Sequence, residues 1–392
     1  MNKFRYGCSL EVSSSEIYSD CFVAKSGLGH YNVTGRVTND LICIKKREMM
    51  FEKIREQYGL VWEKTAGNTA RILRVFGHNS VVCLPDRIGD TIIEEIGDYC
   101  FAASSRFENN AVFFSLVDKK GNLLEETKEM MPQEMAKTLR ELSGKAVTKI
   151  KLPKSITKIG DFTFYNCSLL EELSIYPSLV NVGSDAFMNC LSLEVICIFG
   201  DAEEESELRQ FLTQRTSDTA VFFRTGDMIQ AAVFYPEYYE SYEEIGPAHI
   251  FELNLTGEGF RARQCFQGEV LDLLQYDTVF ENAQKEESVR TLCKMALYRL
   301  AYPVKLQETC KENYKKYIRE HIDTVFSQLI KERNLELLLF AAGEEIAAKE
   351  QFEEAIQMAA VAGWSEAVAS LYALRSKKEE SYVAQQYSFD DW

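Results

Sequence analysis

Residues 159–175, IGDFTFYNCSLLEELSI, and residues 182–198, VGSDAFMNCLSLEVICI, are two copies of one unit. Gly160 and Gly183, Phe164 and Phe187, Asn166 and Asn189, Cys167 and Cys190, Leu170 and Leu193, and Ile175 and Ile198 all stand 23 residues apart. Repetition at a fixed period of this size marks a stacked architecture, because one copy cannot bury its own apolar face. The Leu-x-x-Leu-x-Ile run closing each copy predicts a short strand whose alternate residues point inward. Stacking then places Phe164 over Phe187 and Leu170 over Leu193 in a continuous spine. Gly160 and Gly183 are expected to supply a backbone bend. Asn166 and Asn189 are expected to bond loop backbone, and Cys167 and Cys190 to act as small buried apolar residues.

A truncated third copy begins at Leu84-Pro85 and continues as Ile96-Gly97-Asp98-Tyr99-Cys100-Phe101. Its Phe101 lies 63 residues before Phe164, so an insertion over about 102–141 separates the copies. That insertion holds an apolar run, Ala111 to Val117, and an amphipathic helix candidate, Pro132 to Leu142. Repeat geometry resumes at Val147.

These units resemble the leucine-rich repeats of the bacterial surface-antigen (BspA-like) type. Copies of that type run Leu-Pro, then Ile-Gly-x-x-Ala-Phe-x-x-Cys-x-x-Leu, then a strand. Residues 84–101 and 147–198 carry the match. The resemblance implies a solenoid, a binding surface on the strand face, and no enzyme activity. Such proteins are usually exported with many repeats, whereas the copies here number about three and Met1 to Cys21 lacks the apolar run of a secretory signal.

Around the repeats the chain divides by composition. An N-terminal arm is expected over 1–48, and the leucine-rich-repeat domain over 49–200. Short strands around Val61-Trp62, Ala70 to Leu73 and Val81 to Leu84 make its start β-rich. Residues 201–264 read as an acidic, Tyr-rich connecting segment that starts with a helix at 201–213 and has β-like runs at Ala220 to Phe223 and Ile229 to Tyr235. From 265 to 380 the period becomes helical: Val289, Leu292, Cys293, Ala296, Leu297 and Leu300 share one face. Leu335 to Leu374 is similar to an ankyrin-type unit in its order of helix, loop, helix, Ala-Gly turn and helix, without the Thr-Pro-Leu-His turn of that family. A tail follows at 381–392. The expected fold class is α+β: a short leucine-rich-repeat solenoid with a β-rich N-terminal segment and a C-terminal α-helical repeat region.

Composition narrows the function. In 392 residues, 44 Lys and Arg face 60 Asp and Glu, a net charge of −16. That lacks the basic footprint a nucleic-acid partner requires. No apolar run approaches the length of about 18 residues that spans a membrane. The 11 cysteines are scattered and include no CxxC pair, the usage of a reducing compartment, so a cytoplasmic location is expected and neither a zinc ribbon nor a redox pair is encoded. The 4 histidines stand apart, and there is no nucleophile elbow, phosphate loop or calcium loop. No catalytic, cofactor or metal site is expected.

Two surfaces remain as candidates for binding a protein. From Thr225 to Phe260 there is no Lys or Arg, while Glu237, Glu240, Glu243 and Glu244 alternate with Tyr235, Tyr238, Tyr239 and Tyr242. Rigid tyrosines beside uncompensated carboxylates suit a partner with a basic segment; the plainer alternative is a loop whose tyrosines pack on their neighbours. The second surface is the outward strand face, with Lys149, Lys151, Glu172 and Ser174, then Val195 and Cys197. The chain therefore reads as a non-catalytic interaction scaffold or adaptor, using these faces or the grooves of its helices. The alternatives are an enzyme whose site is assembled between domains, for which His249 or His321 would meet Cys265 or Cys293 in one cleft, and an exported adhesin-like surface protein.

Overall fold

Each copy of the unit forms one turn of a β-solenoid, with a strand on either side of a tight Gly-to-Cys turn. The computed structural model describes residues 57–104, 112–127, 138–245, 249–343 and 346–386. The expected N-terminal arm lies outside them.

The described chain starts with β1 (Gln57–Lys64) and β2 (Thr69–Gly77), an antiparallel pair. After β3 (Val81–Cys83) and β4 (Arg87–Ile88), β5 (Thr91–Ile96) runs parallel to β2. The apolar run of the insertion becomes β6 (Phe113–Asp118), antiparallel to β1, followed by β7 (Leu123–Thr127). The helix expected to end at Leu142 does not reach that residue. Arg140–Glu141 is instead β8, paired with β2, and the Leu142 N–H donates to the Val75 carbonyl at 2.9 Å. Pairing with β2 and burial of the Leu142 side chain beside Gly77 outweigh the helical period there. The rest of that candidate, to residue 137, is outside the described residues.

The solenoid proper comprises β9 (Lys149–Lys151), β10 (Lys158–Ile159), β11 (Glu172–Ile175), β12 (Asn181–Val182), β13 (Val195–Ile198) and β14 (Thr219–Thr225). Strands β5, β10 and β12 form one wall, and β3, β9, β11, β13 and β14 run parallel in the other. Ile150, Leu173, Ile196 and Val221 lie in lateral register and face inward. The sheet passes the expected boundary at residue 200: β14 continues it, and β15 (Met228–Tyr235) closes it as an antiparallel partner.

Between the walls the aromatic spine is longer than the two copies predict. Phe101, Phe164, Phe187 and Phe211 stack at centroid distances of 5.4, 5.3 and 5.0 Å. The last ring comes from α1 (Leu208–Thr213), which takes the place of a further repeat turn. Burying each phenylalanine contributes about 1.5–3 kcal/mol.

The glycines serve close approach rather than an unusual bend. A Cβ on Gly160 would lie 2.3 Å from the Asp98 carboxylate, and one on Gly183 would lie 2.4 Å from the Asp161 nitrogen. Asn166 and Asn189 are left-handed, at φ 61° and 62°, which asparagine tolerates better than most residues, and Phe162 and Asp185 are left-handed too, at 52° and 51°. The side chains of the two asparagines bond each other at 2.8 Å, Asn189 donating. The cysteines are more than apolar filler: the thiols of Cys167 and Cys190 donate to the carbonyls of Phe101 and Phe164, each at 3.1 Å.

Within the stack each turn donates backbone N–H groups to the next, as Phe101 does to Thr163 and Phe164 to Ala186. At each end of the stack an arginine bonds main-chain carbonyls of the outermost turn. Buried Arg74 donates to Cys100 and Ala102 at 3.0 and 2.8 Å. Buried Arg215 donates to Cys190 and Leu193, and the Gln214 amide bonds Gly183 and Ala186.

After β15 come the hairpin strands β16 (Tyr239–Ile245) and β17 (Ile250–Thr256) and the short α2 (Gly259–Ala262). The helical region follows as α3 (Leu273–Glu286), α4 (Val289–Ala301), α5 (Glu308–Glu320), α6 (Ile322–Glu332), α7 (Leu335–Ala341), α8 (Lys349–Val361) and α9 (Ser365–Gln386). Ser288 and Asp272 cap α4 and α3 through their side chains. Helices α5 and α6 follow each other directly, broken at His321. An ion pair buried from water clips three helices together: Asp277 receives bonds from Arg299 at 2.7 and 2.9 Å and from Tyr314 at 2.9 Å. One apolar core runs from the solenoid through these helices. No helix among the described residues is long and apolar enough to cross a membrane.

Candidate functional site

The strand face is a mixed row that satisfies itself. In register, Val81, Lys149, Glu172, Val195 and Ala220 form one line, and Cys83, Lys151, Ser174, Cys197 and Phe222 the next. Lys149 bonds Glu172 at 2.8 Å, which raises the lysine pKa, and the Lys151 ammonium sits 3.9 Å from the centre of the Phe199 ring. Ser174 is buried, and burial followed by the neighbouring Glu172 pushes the Cys197 thiol up to about 11. At the C-terminal end of the row α4 covers the face: Tyr298 meets Phe222 and Phe234 at 5.3 and 6.2 Å. Lys149 is exposed, and Lys151 and Glu172 are half-buried.

The acidic tyrosine segment separates into two parts. Tyr235 and Tyr238 are buried and unavailable to a partner, because their rings flank the Arg263 guanidinium at 5.7 and 5.2 Å. Burial lowers the Arg263 pKa to about 10. This guanidinium donates to the carbonyls of Pro236, Gly259 and Ser217, pinning the chain on both sides of the β16–β17 hairpin. Glu237 belongs to this base, its N–H bonded to the Asp218 carboxylate at 2.8 Å.

Beyond the base, Tyr239, Tyr242, Glu240, Glu243 and Glu244 lie on β16. Where the sequence suggests a loop, the segment alternates well enough to pair in a hairpin. Residues directly opposite in an antiparallel pair share a face. One face carries Tyr242 with Leu253, Glu240 with Leu255, and Glu244 with Phe251. The apolar members are open to solvent, at 66% for Tyr242, 64% for Phe251, 45% for Leu253 and 40% for Leu255. The other face sets Glu243 opposite Glu252 and Ser241 opposite Asn254. His249 meets Glu244 near the tip. Sequence reasoning missed the contribution of β17, although Phe251, Leu253 and Leu255 alternate with Glu252, Asn254 and Thr256 in a strand period.

The helices offer an open groove between α6 and α8, lined by Ile330, Lys331, Arg333, Met358 and Val361. Of the residues the enzyme alternative names, His321 lies against Tyr317, ring centroids 4.5 Å apart, and burial pushes the Cys265 and Cys293 thiols each up to about 12, into the unreactive neutral form. Among the described residues no group of three or more His, Cys, Asp or Glu is placed to hold a metal ion.

The parallel wall, the phenylalanine spine and the Gly and Cys ladders define a leucine-rich-repeat solenoid. Residues 140–235 match the BspA type leucine rich repeat region, in 6 copies. Leucine-rich repeats of this kind generally mediate protein–protein interaction or adhesion. No curated protein and no solved structure matches the chain, and the ankyrin-like reading of the helical C-terminus finds no support in these comparisons.

Proposed function

We propose that the chain is a non-catalytic protein-interaction scaffold in a reducing compartment, with the solenoid as a rigid mount and the β16–β17 hairpin as the contact arm. The observation that carries this reading is the exposed apolar face of Tyr242, Phe251, Leu253 and Leu255 in a segment with acids and no Lys or Arg. Exposed apolar residues gathered on one face mark interaction sites, and the Arg263 clamp ties down the chain on both sides of the hairpin that carries this face. The strand face supports the role less, since Lys149 is already paired with Glu172 and Lys151 with the Phe199 ring.

The test is affinity capture from native extract with quantitative mass spectrometry, comparing wild type with the triple variant Tyr242→Ser, Leu253→Ser, Leu255→Ser. A protein held stoichiometrically by wild type and lost by the variant is the expected result. Equal capture by both would remove the hairpin from the reading and leave the strand face and the α6–α8 groove.

A further inference from the structure

The hairpin has a free edge and an unsatisfied pattern of charge. Among the described residues β17 pairs with β16 alone, so alternate backbone N–H and C=O groups along its other edge point away from the sheet. A two-stranded hairpin with a bare apolar face is marginal in water, and a third strand is what makes such a sheet stable. Along that edge one face presents Phe251, Leu253 and Leu255, and the other presents Glu252, Asn254 and Thr256. Glu252 also stands directly opposite Glu243. Like charges in this position repel, and no Lys or Arg occurs between Thr225 and Phe260 to relieve them.

These features specify the occupant. A strand added beside β17 would set its alternate side chains next to Phe251, Leu253 and Leu255, where apolar groups fit. The intervening side chains would lie next to Glu252, where a cation relieves the repulsion with Glu243. A second copy of the same hairpin would add carboxylates to carboxylates, and an anionic lipid surface would do the same. We infer that the free edge of β17 accepts an extended, basic segment of a partner protein as a third strand, alternating apolar residues with Lys or Arg. This rests on the scaffold reading and adds the partner's chemistry and its mode of binding.

The experiment is selection of a displayed random dodecapeptide library on the full chain, run in parallel on wild type and on Glu252→Lys. Peptides from wild type should alternate apolar with basic residues, and those from Glu252→Lys should exchange the basic residues for acidic ones. A selected peptide should slow amide exchange across 251–255. N-methylation of its alternate amides should weaken binding at least about tenfold, the loss of two or three backbone hydrogen bonds. Peptides with helical spacing, a pool unchanged by Glu252→Lys, or no enrichment over the exposed-face variant Leu253→Lys would each overturn the inference. So would a wild-type dimer in sedimentation that Leu253→Lys abolishes. If the triple variant loses its native partner while these selections fail, strand addition is wrong and the scaffold reading stands. If the native partner is retained by the triple variant, the hairpin reading itself has failed.

Discussion

Phe164→Ala tests whether the phenylalanine spine holds the solenoid together. Phe164 is fully buried and its ring is stacked on both sides, at 5.4 Å from Phe101 and 5.3 Å from Phe187. Truncating a buried phenylalanine costs about 3–5 kcal/mol in lost transfer energy and residual cavity, and the two ring pairs account for about 0.5–1.5 kcal/mol each of that. Because solenoid stability is built from nearest-neighbour interfaces, the loss should fall on the turns either side of Phe164. Native-state hydrogen exchange resolves this. Protection of the β11 and β13 amides should drop by about two to three and a half decades, at about 1.4 kcal/mol per decade. Leu191→Ala is the control, since Leu191 is 79% exposed and such changes stay within about 0.5 kcal/mol. A loss below about 1 kcal/mol for Phe164→Ala, or an equal loss in the control, would refute the spine as the main support.

Gly183→Ala places a methyl 2.4 Å from the Asp161 nitrogen, and overpacking of this kind should cost about 1–3 kcal/mol; an unchanged melting temperature would contradict the close-approach argument. Asp277→Ala strands the buried Arg299 guanidinium and should cost about 3–5 kcal/mol in urea unfolding, most of it recovered in Asp277→Leu with Arg299→Met. A double variant as unstable as the single one would refute this account. Burial, then the nearby carboxylates of Asp218, Glu258 and Glu286, holds the Glu287 carboxyl above its ordinary range, so the folded state takes up a proton more readily than the unfolded chain. The resulting stability is full below about pH 4.3, the unfolded value, and is lost as pH rises through the raised folded value. Glu287→Gln should therefore raise the melting temperature at pH 7 and not near pH 4, and a pH-independent difference would rule out this cause.

The solenoid was legible because its side chains recur at a period that only stacking explains: Phe164 over Phe187 follows from the alignment alone. The truncated copy put Phe101 in the same line; what the alignment could not show was that Phe211 extends the spine, since it arrives from a helix outside the repeat pattern. The glycines were visible as a pair, but their reason lies in the distance to Asp98 and Asp161 on the neighbouring turn. At Arg140–Glu141 the helical period was locally real and lost to pairing with a strand far away in sequence. The acidic tyrosine segment was singled out by composition, yet composition could not separate Tyr235 and Tyr238, which bury Arg263, from Tyr239 and Tyr242, which remain outside. That division depends on Arg263, beyond the segment that drew notice.

The arginines at the two ends of the stack bear on how such a molecule can change length. Arg74 and Arg215 reach the turns they close through main-chain carbonyls, groups that every turn presents alike, and their side-chain partners, Glu141 and Ser217, lie outside those turns. Neither guanidinium reads the side chains of the turn beneath it. A whole 23-residue cassette added or removed between them leaves both seals with the same oxygens to bind. The reach of the solenoid, and with it the distance between the sheet of β1 and β2 and the hairpin arm, is thus adjustable in fixed steps without redesign of either terminus.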